Sequence, residues 1–141
     1  MLTYGSKREA KGCGNQKVSR DPEYKGAKLT IRCLEYEGGA CPAGDFLDSL
    51  EEKDRSYVDA TFEMLGESRF VRNRERFKKL EGSDGIFAVK RYQIRIVGFF
   101  TPHREFLVMF GLIKKGNKYK RRDIDRAEAI KNDYFSQMEK K

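Results

Sequence analysis

DGIFAVKRYQIRIVGFFTPHREFLVMFGLIKK, residues Asp84 to Lys115, is the stretch whose reading decides the fold. Its enrichment in β-branched and aromatic residues predicts three consecutive strands, Gly85–Lys90, Tyr92–Phe100 and Phe106–Ile113. A turn at Lys90-Arg91 and a polar loop, Thr101-Pro102-His103-Arg104, punctuate them. Side chains alternate along a strand, so Ile94 and Ile96 face one way, and Gln93, Arg95, Val97 and Phe99 face the other. A charged arginine inside an apolar strand is costly unless its face is open or an anion meets it. The last strand ends in Lys114-Lys115. A small sheet with an arginine at its centre and a lysine pair at its rim suits a negatively charged ligand.

Working outward toward the N-terminus, Lys28–Glu37 (KLTIRCLEYE) alternates Leu29, Ile31 and Cys33 against Thr30, Arg32 and Leu34, a half-buried strand. Gly38-Gly39 ends it. Pro42 stands where a helix can begin, and Asp45 in its first turn complements the helix dipole. That helix is expected over Ala43 to about Glu52, with Phe46, Leu47 and Leu50 as its apolar face. A second helix is expected from Asp54, as N-cap, to Glu67. There Tyr57, Val58, Thr61, Phe62, Met64 and Leu65 recur at helical spacing, as a core stripe does. Ser68–Lys79 (SRFVRNRERFKK) reads as a short helix or a loop, either a solvated face or a phosphate-contacting rim.

Beyond the three strands, Lys114, Lys115, Lys118, Lys120, Arg121 and Arg122 fall within nine positions. Asp123 then caps a last helix, Ile124 to about Met138, with Ile124, Ala127, Ile130 and Tyr134 on one face. The order β-α-α-β-β-β-α predicts an α+β domain. Its sheet is mostly antiparallel and twisted, with two N-terminal helices on one side and a C-terminal helix.

At 141 residues the chain suits one domain with a modest core. Only 38% is hydrophobic and the mean hydropathy is −0.77, so part of the chain is expected outside that core. Residues 1–27, polar, basic and without period, read as a flexible N-terminal arm. The formal net charge of +8 favours a polyanionic partner. Cys13, Cys33 and Cys41 form no CxxC and have no metal-ligand spacing with His103. No apolar run is long enough to span a membrane. The expectation is a cytoplasmic protein with reduced thiols and no membrane partner.

The single histidine, His103, sits in no arrangement suggestive of a triad, and no P-loop or dinucleotide fingerprint is present. The three strands are poor in carboxylates, so neither a metal nor another cofactor is expected. Metal-free RNA cleavage needs neither. RNA carries its own nucleophile, the 2′-OH, and the protein must align it and stabilise the charge that grows on phosphorus. Lys90, Arg95 and Lys114 around one concavity would meet that need. They would equally serve to bind phosphate without cleaving it.

Three pieces carry a resemblance: CPAGDFLDSLEEKDR, then FKKLEGSDGIFAVKRYQIRIVGFF, then FGLIKKGNKYKRRDIDRAEAIKNDYF. Their order, the Gln93-x-Arg95 strand, the Lys114-Lys115 element and the Ile124-x-x-Ala127 start of the last helix resemble the RelE/HigB-like toxins of bacterial toxin–antitoxin modules, especially their phage-derived branch. The likeness covers about Lys28 to Phe135 and implies a RelE-like domain over residues 28–141. It implies an endoribonuclease, an mRNA interferase that cuts mRNA in the ribosomal A site, and a cognate antitoxin, a helix-turn-helix DNA-binding protein. It places Arg95 on the scissile phosphate, with Lys90 and Lys114 beside it and Tyr119, or more loosely His103, as proton-transfer candidates. RNA contacts are then expected from Lys79, Arg91, Arg104, Lys115, Lys118, Lys120, Arg121 and Arg122. Two features depart from the family, the long N-terminal arm and Ala88 where a glutamate is common. The alternative is a non-catalytic module of phage or plasmid origin with the same fold, binding RNA, the ribosome or a partner protein.

Overall fold

In the computed structural model, residues 21–139 are described. Their elements are β1 (Tyr24–Lys25), β2 (Thr30–Cys33), a 3-10 turn (Glu37–Gly39), α1 (Pro42–Asp48), α2 (Glu52–Ser68), β3 (Phe77–Lys79), β4 (Phe87–Arg91), β5 (Ile94–Thr101), β6 (Glu105–Ile113) and α3 (Arg121–Glu139). Six strands form one sheet in the order β1-β2-β6-β5-β4-β3. Only the β2–β6 pair is parallel. The fold is therefore the expected α+β domain, with two short strands added at the edges. β1 falls within the stretch read as an arm, and residues 1–20 of that stretch lie outside the described residues.

The three central strands form because their residues suit a pleated surface buried on both sides. Their turns differ from the sequence reading. Arg91 pairs with Ile94, so the β4–β5 connection is the two-residue turn Tyr92-Gln93, not Lys90-Arg91. Tyr92 takes φ 54, a left-handed conformation usually given to Gly or Asn, which is why the pattern did not announce it. At the other end, Thr101 pairs with Glu105 around Pro102-His103-Arg104.

Helices cover both faces. Ile31, Cys33, Leu47, Val58, Phe62, Leu65, Ile94, Ile96, Phe106 and Val108 form one core under α1 and α2. Leu34, Ala88, Val97, Phe99, Leu107, Met109, Phe110, Ile124 and Ala127 form the second, under α3. A β-bulge lets β6 serve both. Val97 pairs with Phe110 but Gly98 with Val108, so Met109 is the extra residue and the alternation shifts by one. Phe110 and Leu112 thereby join Leu107 on the α3 face. Gly98 is needed beside the bulge, because a Cβ there would run into the Leu107 carbonyl and the Phe106 ring.

α2 begins two residues earlier than expected, and Asp54, read as its cap, lies in the first turn instead. Arg69, at φ 66, closes the helix in the left-handed conformation with its N–H donating to the Leu65 carbonyl. The segment read as helix or loop is a loop that enters β3, where Phe77 is buried and Lys78 and Lys79 follow. α3 starts at Arg121, ahead of the expected Asp123 cap. Among the described residues, no helix is long and apolar enough to cross a membrane.

Candidate functional site

The α3 face of the sheet is closed by apolar side chains except near the β4–β5 turn. There one cross-strand row runs Lys90, Arg95, Leu112. A cavity of about 660 Å³ opens over it, walled by Lys78, Lys79, Lys90, Arg95, Lys114 and Tyr119 and bounded by Arg121 at the start of α3.

Arg95 is 6% exposed, a degree of burial rare for a charged side chain. Its Nη1 donates to the carbonyls of Tyr92 (2.6 Å) and Ile94 (2.9 Å), which clamps the guanidinium to the turn. Its buried Nε has no hydrogen-bond partner among the described residues. No carboxylate pairs with Arg95, Lys90 or Lys114 among the described residues. Lys90 lies directly across from Arg95, and like charges so placed repel.

Burial and then the Arg95 charge hold the Lys90 ammonium below the ordinary lysine range; Glu75 pulls the other way, and Lys78 and Arg74 add to the lowering. Lys114 is lowered in the same way, by burial first and then by Arg95, Lys90 and Lys78, against a smaller opposing pull from Glu81, which also lines the cavity. Its position is fixed by two bonds to the turn. Lys114 N–H donates to the Gln93 carbonyl and Gln93 Nε2 donates to the Lys114 carbonyl, both at 2.7 Å. The Lys114 Nζ sits 4.7 Å from the centre of the Tyr119 ring. Burial pushes the Tyr119 phenol up while Arg95 opposes it, so the hydroxyl keeps its proton at neutral pH and can donate it in a hydrogen bond.

The arrangement is a fixed concentration of positive charge with an unused buried donor at its centre. An anion with several acceptor oxygens is the ligand that would relieve it.

Residues 45–132 match the family model described as Phage derived protein Gp49-like (DUF891), over more than half of the chain. The chain belongs to this Gp49-like family. Its matched span runs from α1 into α3 and contains Lys90, Arg95, Lys114 and Tyr119. Among curated proteins, none matches the chain.

The other sequence-derived candidates divide by position in this Gp49-like fold. Lys79, Lys118 and Arg121 line the same cavity as Arg95. Lys115, Lys120 and Arg122 line a neighbouring groove of about 240 Å³ that shares Lys114, Lys118 and Tyr119 with it. Arg121 also holds Asp125, one turn along α3, at 3.0 Å.

Three candidates lie elsewhere. His103 and Arg104 occupy the β5–β6 loop, at the far end of β5 from Arg95. At about 3.3 Å per residue, the six steps from Arg95 to Thr101 span roughly 20 Å. His103 therefore does not reach the cavity, and the Arg104 carbonyl accepts from the Thr30 N–H. Arg91 points off the α3 face and is tied to α2, its Nε donating to Asp54 Oδ1 at 2.9 Å.

Lys78 was missed. It stands across from Ala88, one row in from Lys90, and its charge depresses both lysines. The signal was there in Phe77-Lys78, one residue in and the next out, but three residues are too few to declare a strand. Ala88, the departure from the resembled family, is fully buried in the α3-side core between Lys78 and Val97. Among the described residues, no group of three or more His, Cys, Asp or Glu could hold a metal ion.

Proposed function

We propose that this Gp49-like protein is a toxin of RelE/HigB type, an endoribonuclease that cuts mRNA in the ribosomal A site. One observation carries the reading. Arg95, Lys90 and Lys114 converge, without carboxylate partners among the described residues, on one open cavity. In the cleavage, the RNA 2′-OH attacks the adjacent phosphorus and the bond to the 5′-oxygen breaks. The products end in a 2′,3′-cyclic phosphate and a 5′-hydroxyl.

Arg95 binds the scissile phosphate and the charge that builds on it, the task a preorganised buried donor does best. Lys90 and Lys114, with ammonium groups made easier to deprotonate, exchange protons with the 2′-OH and the leaving oxygen. Tyr119 stays protonated and donates a hydrogen bond to a phosphate oxygen. Lys79, Lys115, Lys118, Lys120, Arg121 and Arg122 form the basic rim that meets the flanking backbone and ribosomal RNA. A cognate antitoxin, expected to be a helix-turn-helix DNA-binding protein, would inhibit by laying acidic side chains over this same rim.

Induced expression with primer extension on a reporter mRNA tests the proposal. Growth arrest with discrete cuts in translated mRNA is expected from the wild type, with both lost in Arg95→Ala. A soluble, well-expressed wild type that neither arrests growth nor cuts mRNA overturns the endonuclease reading in favour of a binding module.

A further inference from the structure

A second cavity, of about 390 Å³, adjoins the first and shares Lys90 and Arg95 with it. Tyr92 stands on its wall, 75% exposed, among the largest exposed hydrophobic side chains of the described residues. An aromatic residue is the wrong choice for a tight turn at φ 54, where Asn or Gly would form without strain. Conformations of this kind persist where their surroundings enforce them, and they gather at functional sites. Here the Arg95 guanidinium donates to the Tyr92 carbonyl at 2.6 Å, which ties the turn to the site.

The ring is also the last rung of a ladder. The Arg76 guanidinium lies 3.8 Å from the centre of the Tyr57 ring, and Arg91 packs against that ring at 4.6 Å. Arg91 in turn packs against the Tyr92 ring at 4.3 Å. The lower rungs are anchored. Arg76 donates to Thr61 Oγ1 and to the Tyr57 carbonyl, and Arg91 to Asp54. Nothing described follows Tyr92. The ladder alternates cation and aromatic and stops at an exposed aromatic ring beside the phosphate-binding cations.

We propose that Tyr92, braced by Arg91 and Arg95, is a stacking platform for the nucleobase flanking the scissile phosphate. This rests on the RNA-cleaving reading above and adds to it a residue that positions substrate. Stacking on an aromatic ring tolerates any base, so the platform aligns the chain without choosing a sequence. By holding one base, it fixes the ribose whose 2′-OH must lie in line with the leaving oxygen.

The test is single-turnover cleavage on ribosomes programmed with a defined mRNA. Tyr92→Ala is expected to slow cleavage about ten- to hundredfold, the range one base stack supplies. Tyr92→Phe keeps the wild-type rate. Tyr92→Gly removes the ring while relieving the positive φ, so it folds at least as well and shows the same loss. An mRNA with an abasic site beside the cut slows the wild type by the same factor and slows Tyr92→Ala no further. Wild-type cleavage that is unchanged in Tyr92→Ala, or an abasic penalty equal in both proteins, overturns the platform and leaves the endonuclease reading standing. No cleavage by wild type overturns that reading, and the platform falls with it.

Discussion

The two ends of β5 carry similar charge and treat it oppositely. At the Thr101 end, Arg32 pairs with Glu105 at 3.3 Å, and Arg104 serves through its backbone. At the Arg95 end, cations crowd one cavity, and the Arg95 and Lys78 charges lower both Lys90 and Lys114. Cations that meet carboxylates hold a structure together. Cations buried against other cations cost stability, so their placement points to an anion that arrives from outside.

The largest test of this contrast is to neutralise one arginine at each end. Arg95→Gln is expected to lower cleavage of ribosome-bound mRNA by about 10²–10³, as loss of one preorganised donor does. Arg32→Gln should leave the rate unchanged. Circular dichroism melts of both variants separate lost chemistry from lost fold.

Lys114→Met is the next step down, with cleavage falling about 10²-fold if it moves a proton. The same change is expected to raise the melting temperature of the free protein, because an ammonium crowded by other cations is removed. The pH dependence follows from the sign of the shifts. Lys90 and Lys114 are lowered in the fold, so their charged forms are disfavoured there. Stability of the free protein should therefore rise as pH climbs from their depressed range toward the ordinary lysine value, about 10.4. Sulfate favours the charged lysines, so the melting-temperature gain it gives should shrink over that same climb. Scans with and without sulfate check both slopes, and Lys90→Met should flatten them.

Smaller effects are expected where charge is paired or remote. Asp54→Asn breaks the pair with Arg91 and should cost about 1 kcal/mol or less in a urea titration. His103→Ala, at the far end of β5, should leave cleavage unchanged and shift stability by no more than about 0.5 kcal/mol. A strong loss of cleavage in His103→Ala would break the contrast between the two ends.

Much of the fold was legible because strong alternation and helical periodicity are local signals. The three central strands and the three helices each announce themselves. What escaped is what depends on pairing. β1 and β3 are two and three residues long and exist only against their neighbours. The bulge at Met109 is invisible to pattern because both faces of β6 are apolar. The Tyr92-Gln93 turn carries no glycine or asparagine. At the site, Arg95 was legible from its cost inside an apolar strand, and Lys114 from its place at the rim. Lys78 needed the β3 register. Arg91 looked like one more basic residue until Asp54 was seen to claim it.

The most direct test is the single-turnover rate on programmed ribosomes for wild type, Arg95→Gln and Arg32→Gln, with all three shown to be folded. The account predicts a deep loss in Arg95→Gln alone, with wild-type products ending in a 2′,3′-cyclic phosphate. Equal rates for the three proteins would contradict it, and the cation cluster would then be a docking surface rather than a catalytic site.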